Sequence, residues 1–263
     1  MNTLELAKER RSVRTFDGKP LTVQDREAVA AFIESIPNPF GLPVEFILLD
    51  AKENGLYSPV IKGETLYVAA KTEKAPHSEE AFGYSFEQLV LFAQSLGIGT
   101  TWIGGTFKRE IFEKAANVQG NEKMYCASPL GYPAKKMSVI EATMRKGVRA
   151  DKRKDADELF FDRDFQTPLK TQDKTILDAL EAVRLAPSAV NMQPWRIVAD
   201  GSRYHFFLSH KKGYDANADW DIQAVDMGIA LCHFMNIAGG TVEIANPGIE
   251  CANGIDYAVS VVV

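Results

Sequence analysis

A chain of 263 residues, 46% hydrophobic and 25% charged, can bury a substantial core without disulfide or metal staples. Its net charge of -5 argues against a nucleic-acid binder, because a phosphate backbone demands a basic face. Cys126, Cys232 and Cys251 are odd in number and lack CxxC spacing, which points to a reduced, cytoplasmic setting and to no metal site. Leu89 to Gly105 is the most apolar stretch, but Gln94 and several glycines interrupt it, so no membrane span is expected. Glu5, Lys8, Glu9, Arg10 and Arg11 leave the N-terminus without the apolar centre of a signal peptide.

Thr3 can cap a short helix running to Glu9, and Asp17-Gly18-Lys19-Pro20 reads as a turn. Thr22 starts a second helix, with Asp25 as capping-box partner and Val29, Ala30, Phe32 and Ile33 facing inward. Strands are expected over Val44 to Leu49 and Thr65 to Ala70. Ser78 to Leu96 reads as a long apolar helix stopped by Gly97 and Gly99, and Thr100 to Ile103 leads into a loop at Gly104-Gly105. A helix over Lys108 to Asn117 and a strand over Lys123 to Pro129 follow, then the turn Gly131-Tyr132-Pro133 and a charge-dense segment from Ser138 to Asp157. Downstream come a helix over Thr171 to Leu185 and paired strands over Trp195 to Ala199 and Tyr204 to Ser209. A second apolar helix over Ile222 to Asn236, ended by Gly239-Gly240, precedes a closing strand over Tyr257 to Val263. Mixed helices and hairpins imply an α+β layered fold.

The two halves match in order. Arg14-Thr15-Phe16 corresponds to Arg163-Asp164-Phe165, Pro20-Leu21 to Pro168-Leu169, and Ile36-Pro37-Asn38 to Ala186-Pro187-Ser188. Small indels between the matches belong in loops. The chain is therefore read as two repeats, 1–157 and 158–263.

Two segments carry candidate chemistry. Arg10, Arg11, Ser12 and Arg14 offer guanidinium forks and a hydroxyl suited to a phosphate, although such a run alone also reads as a solvated basic turn. At the matching place the second half has Leu159, Phe160 and Phe161 before Arg163. Conversely, Pro187-Ser188-Ala189-Val190-Asn191-Met192-Gln193-Pro194 is a polar, proline-bounded turn suited to a flat polar ring, whereas the first half has Pro37-Asn38-Pro39-Phe40-Gly41-Leu42. Each half keeps one part of a site and has lost the other. His233 on an apolar helix reads as a core or interface residue, and Trp102, Phe92 and Trp195 as packing groups.

RRSVRTF together with APSAVNMQPWRIV, FEQLVLFAQSLGIGTTWIGG and LGYPAKK resembles the nitroreductase family of FMN-dependent oxidoreductases. The resemblance covers most of the chain. Ordinary members are homodimers, so the chain is similar to a tandem, fused subgroup found in thermophilic bacteria. The resemblance implies a nitroreductase-like fold of two pseudo-symmetric repeats, each a mostly antiparallel sheet packed by helices, forming an intramolecular pseudo-dimer. It implies bound FMN, with Arg10, Arg11, Ser12 and Arg14 on its phosphate and ribityl chain and Arg14 also near the pyrimidine. Pro187, Ser188, Ala189 and Asn191 would contact the ring. Ile103, Gly104 and Gly105 would present backbone N–H groups near N5, where family members often carry a glutamate. Lys152 and Arg153 would complete the phosphate clamp, or else form a solvated linker. Arg14, Gly104 and Gly105 are the residues expected closest to the reaction, with no metal. The implied chemistry is ping-pong transfer from NAD(P)H to an electron-poor acceptor such as a nitroaromatic or quinone, in a monomer open to further oligomerisation that needs no nucleic acid or membrane. A flavin-binding protein for storage or sensing, without turnover, is the alternative.

Overall fold

The computed structural model describes residues 2–211 and 219–263. α1 (Thr3–Glu9) opens the chain and α2 (Val23–Ile33) follows. The Thr22 hydroxyl caps α2 by accepting from the Asp25 N–H at 3.1 Å. The reciprocal half of the expected capping box is relayed: the Tyr132 hydroxyl accepts the Thr22 N–H and donates to the Asp25 carboxylate. Next come β1 (Glu45–Asp50), β2 (Leu66–Glu73), α3 (Ser78–Ser95) and α4 (Arg109–Ala115). The one strand expected over Lys123 to Pro129 is two, β3 (Glu122–Lys123) and β4 (Ala127–Leu130). Between them the carbonyls of Met124 and Tyr125 accept from the Arg109 guanidinium. The charge-dense segment forms a helix, α5 (Val139–Gly147). The remaining elements are β5 (Phe160–Asp162), α6 (Lys174–Leu185), β6 (Trp195–Asp200), β7 (Arg203–Ser209), α7 (Ile222–Ala238), β8 (Thr241–Glu243) and β9 (Ile255–Val262). The α+β class is thus the observed one.

The chain divides into two compact units that do not follow sequence order. One comprises Glu9–Ser78 and Ser85–Ala150. In its sheet, β2 lies between β1 and β4 and extends to β3, every pairing being antiparallel. β2 is buried along nearly its whole length, so its apolar run is covered on both faces. Val13, Phe16, Tyr67, Ile103 and Phe112 share the core beneath it. Tyr67 meets Phe112 edge-on, ring centres 5.0 Å apart.

The other unit comprises Met1–Lys8, Glu79–Tyr84 and Asp151–Val263. Its five-stranded sheet has the order β5-β6-β7-β9-β8, with β5 parallel to β6 and the other pairings antiparallel. Leu159 and Phe160 are buried where β5 joins this sheet. Their apolar character thus serves a strand that spacing alone did not reveal. α6 is capped by Asp173, whose carboxylate accepts from the Thr175 N–H at 2.8 Å and the Ile176 N–H at 3.3 Å. α7 is buried over most of its length, His233 included, and Gly239 at φ 70° ends it. Among the described residues no helix is long and apolar enough to cross a membrane.

Candidate functional site

The segment carrying Arg10, Arg11, Ser12 and Arg14 is extended and held on several sides. Ser12 bridges Thr100 in parallel, and the Val13 N–H donates to the Thr100 carbonyl at 2.8 Å. Lys62 N–H donates to the Arg14 carbonyl at 2.9 Å, and Phe16 N–H to the Lys62 carbonyl at 2.7 Å. Val13 fills the space where a Cβ on Gly99 would stand, only 2.9 Å from it, so the approach requires glycine there. Period-two alternation buries Val13 and Thr15 and leaves Ser12 and Arg14 on the opposite face.

The arginines of the segment lie among carboxylates and a further arginine. The buried Glu141 carboxylate pairs with Arg11 at 2.8 Å. Arg14 feels Glu141 as an attractive charge, Arg10 feels Glu87, and both feel Arg145 as a repulsive one. Burial, the largest influence, pulls both Arg10 and Arg14 below ordinary arginine basicity. Glu87 is itself buried and accepts from the Trp102 indole N–H at 3.1 Å, which gives Trp102 a polar partner besides its packing. The Nε atoms of Arg10 and Arg14 are enclosed yet have no hydrogen-bond partner among the described residues. Leaving a charged donor enclosed and unmet costs more than the roughly 1–3 kcal/mol of a neutral one. Those two unmet, positively charged donors are of the kind that a phosphate monoester, carrying roughly −1.5 to −2 near pH 7, satisfies. The residues therefore fit the phosphate of a cofactor such as FMN.

In the loop expected beside N5, Ile103 is buried and exchanges both backbone hydrogen bonds with Ala127, at 2.9 and 3.0 Å. Its N–H is committed, and any backbone donation falls to Gly104 and Gly105. The Gly104 carbonyl is held by Arg109 at 2.8 Å, while nothing lies within 4 Å of where a Gly105 Cβ would stand.

The turn from Pro187 to Pro194 lies in the other unit and is tightly braced from within. The Ala189 N–H donates to both oxygens of the buried Asp226 carboxylate, each at 3.0 Å. Ser188 Oγ accepts the Gln193 N–H at 2.8 Å. The Asn191 side-chain amide donates to the Lys152 carbonyl at 2.9 Å and accepts from Arg153 at 3.2 Å. Arg153 also reaches the Leu185 carbonyl at 3.2 Å, so its fork ties the turn to the end of α6. Gln193 is buried, and its amide oxygen accepts the Lys154 N–H at 2.9 Å. Lys152 supplies a carbonyl to this brace.

Val190, Asn191 and Gln193 all have positive φ, at 43°, 61° and 52°. For β-branched Val190 this is a strained state, and at 47% exposure its side chain has little packing to compensate. Val190→Gly is expected to stabilise the protein by about 1 kcal/mol, the strain relieved exceeding the entropy that glycine adds. A lower melting temperature for this variant would show that Val190 is not strained.

The sequence reading omitted Glu141, Arg145, Asp226 and Glu87. Ser138-Val139-Ile140-Glu141 carries the capping-box spacing from which α5 was readable. Asp226 was detectable as a lone acid inside an apolar helix. Among the described residues, no group of three or more His, Cys, Asp or Glu is placed to hold a metal ion.

A family model described as "Putative TM nitroreductase" matches residues 2–238. A similarly described nitroreductase from Thermotoga maritima has the same fold, at 18% identity and a TM-score of 0.66, covering 100% of this chain and 94% of that one. An FMN-dependent nitroreductase from Clostridium difficile aligns over 54% of this chain and 94% of its own, at 20% identity and a TM-score of 0.43. A search of curated proteins finds no match to the chain. With the family model spanning nearly the whole sequence, the chain belongs to the nitroreductase family.

Proposed function

We propose that the protein is an FMN-dependent oxidoreductase that transfers reducing equivalents from NAD(P)H to an electron-poor acceptor such as a nitroaromatic or quinone. The observation that carries this reading is the pair of enclosed, unmet guanidinium Nε donors on Arg10 and Arg14, in a segment that also carries Arg11. FMN, when bound, supplies the hydride and electron chemistry, while the protein supplies position and charge. Arg10, Arg11 and Arg14 hold the phosphate by charge-assisted hydrogen bonds, with the Ser12 hydroxyl beside them. Arg14 supplies a fixed cation for negative charge developing on the pyrimidine side. Gly104 and Gly105 leave room for a flat ring to approach the backbone. The turn at Pro187, Ser188, Ala189 and Asn191 is a rigid edge suited to a flat ring, and Lys152 and Arg153 act by holding that turn. The reading assigns one flavin to each chain of a cytoplasmic monomer.

The visible spectrum tests it. The purified protein, or apoprotein supplied with FMN, is expected to show the yellow flavin absorbance at one FMN per chain and to bleach anaerobically with NADH or NADPH. A colourless protein that takes up no FMN defeats the proposal, and two flavins per chain defeats the single-site assignment. A flavoprotein that neither nicotinamide reduces would be a binding protein rather than an enzyme.

A further inference from the structure

A surface helix ordinarily docks through an apolar stripe. α5 does not: its one buried residue is Glu141, while Val139 and Ile140 beside it are 83% and 51% exposed. The helix is therefore anchored by a carboxylate on Arg11. Its cap explains how that carboxylate became available. Ser138 Oγ accepts the Glu141 N–H at 3.1 Å, as in a capping box. The reciprocal bond, from the Ser138 N–H to the glutamate side chain, is replaced by Thr15 Oγ1 at 2.9 Å. Glu141 is thus released from capping and reaches Arg11 at 2.8 Å. Its second oxygen is enclosed without a partner, like the Nε atoms of Arg10 and Arg14. Arg145 lies one turn further along α5, on the same face, and acts on both of those arginines.

We propose that Glu141 is a positioning residue of the phosphate site: it aims Arg11 and Arg14 at a dianionic phosphate, and by docking α5 it brings Arg145 to the same anion. The inference rests on the FMN reading above. Two effects oppose each other. Glu141 repels a phosphate by direct charge, and it also holds Arg11 in place and attracts Arg14. Without it, Arg11 (already one-third exposed) can swing into water, and α5 loses its buried anchor. Loss of several aligned charge-assisted contacts outweighs relief of one repulsion screened by the guanidinium groups between.

The test compares FMN with riboflavin, which lacks the phosphate, by fluorescence titration of wild-type apoprotein, Glu141→Gln and Glu141→Asp. Glu141→Gln is expected to weaken FMN binding about tenfold or more, and riboflavin binding by less than about twofold. Glu141→Asp keeps the charge and the helix but shortens the reach. It should weaken FMN selectively by a smaller factor, and it decides the matter if the glutamine variant does not fold. Unchanged or tighter FMN binding overturns the positioning role. Equal losses for both flavins also overturn it, by reducing Glu141 to a fold-holding residue. Wild-type apoprotein that binds neither flavin defeats the FMN reading itself; wild type that binds FMN normally beside unaffected variants defeats this inference alone.

Discussion

Arg10→Ala is expected to weaken FMN binding by about ten- to a hundredfold, the equivalent of losing one charge-assisted hydrogen bond of roughly 1.5–3 kcal/mol. Its Nε donor is enclosed and unmet, and Glu87 acts on it as an attractive charge. An anion that satisfies this donor loses both a charge and a directed contact when the side chain is cut back. The apoprotein should suffer little, because removing a cation that Arg145 repels partly offsets the lost burial. Loss of FMN affinity with a nearly unchanged apoprotein melting temperature therefore separates ligand binding from folding. An unchanged Kd for FMN would place the phosphate elsewhere.

Gly228→Ala is expected to destabilise the protein by about 3 kcal/mol or more, lowering the melting temperature by about 6 °C or more. A Cβ on Gly228 would lie 2.0 Å from the Glu80 carbonyl oxygen and 2.7 Å from the Tyr84 nitrogen. On the facing helix, a Cβ on Gly83 would lie 2.1 Å from the Val225 carbonyl oxygen. α7 and the start of α3 thus cross backbone to backbone, and the atoms in the way belong to the main chain rather than to a side chain that could rotate. Restoring van der Waals distance forces the helices apart along a fully buried seam. Calorimetry on Gly228→Ala and Gly83→Ala checks this, and wild-type melting temperatures in both would show that the helices do not touch there.

Much of the local structure was legible in the residues. Thr22 and Asp173 announce the starts of α2 and α6 because capping is settled within three residues. The hairpin of β6 and β7 follows from two apolar runs around Asp200-Gly201. β5 escaped notice because a three-residue strand has no period to read, and its pairing with β6 joins segments far apart in sequence. α5 escaped because charge density outweighed the Ser138–Glu141 signature, although that signature was present. The segment around Asn191 was legible as a turn, but its internal bracing was not. Ser188, Asn191 and Gln193 look like ligand groups in sequence, and in the fold their side chains hold the turn itself.

By itself the sequence determined the α+β class, most helix and strand positions, the family, and the basic segment at Arg10 to Arg14, since each rests on short-range spacing or on residue type. Tertiary structure alone decided which charges converge. Glu141 meets Arg11 across nearly half the chain, Asp226 finds the Ala189 N–H, and Gly83 and Gly228 mark a helix crossing rather than two weak helical residues. Such pairings depend on where packing brings distant backbone together. A side chain's charge is written in its residue type, but its partner is set only once the core has closed around it.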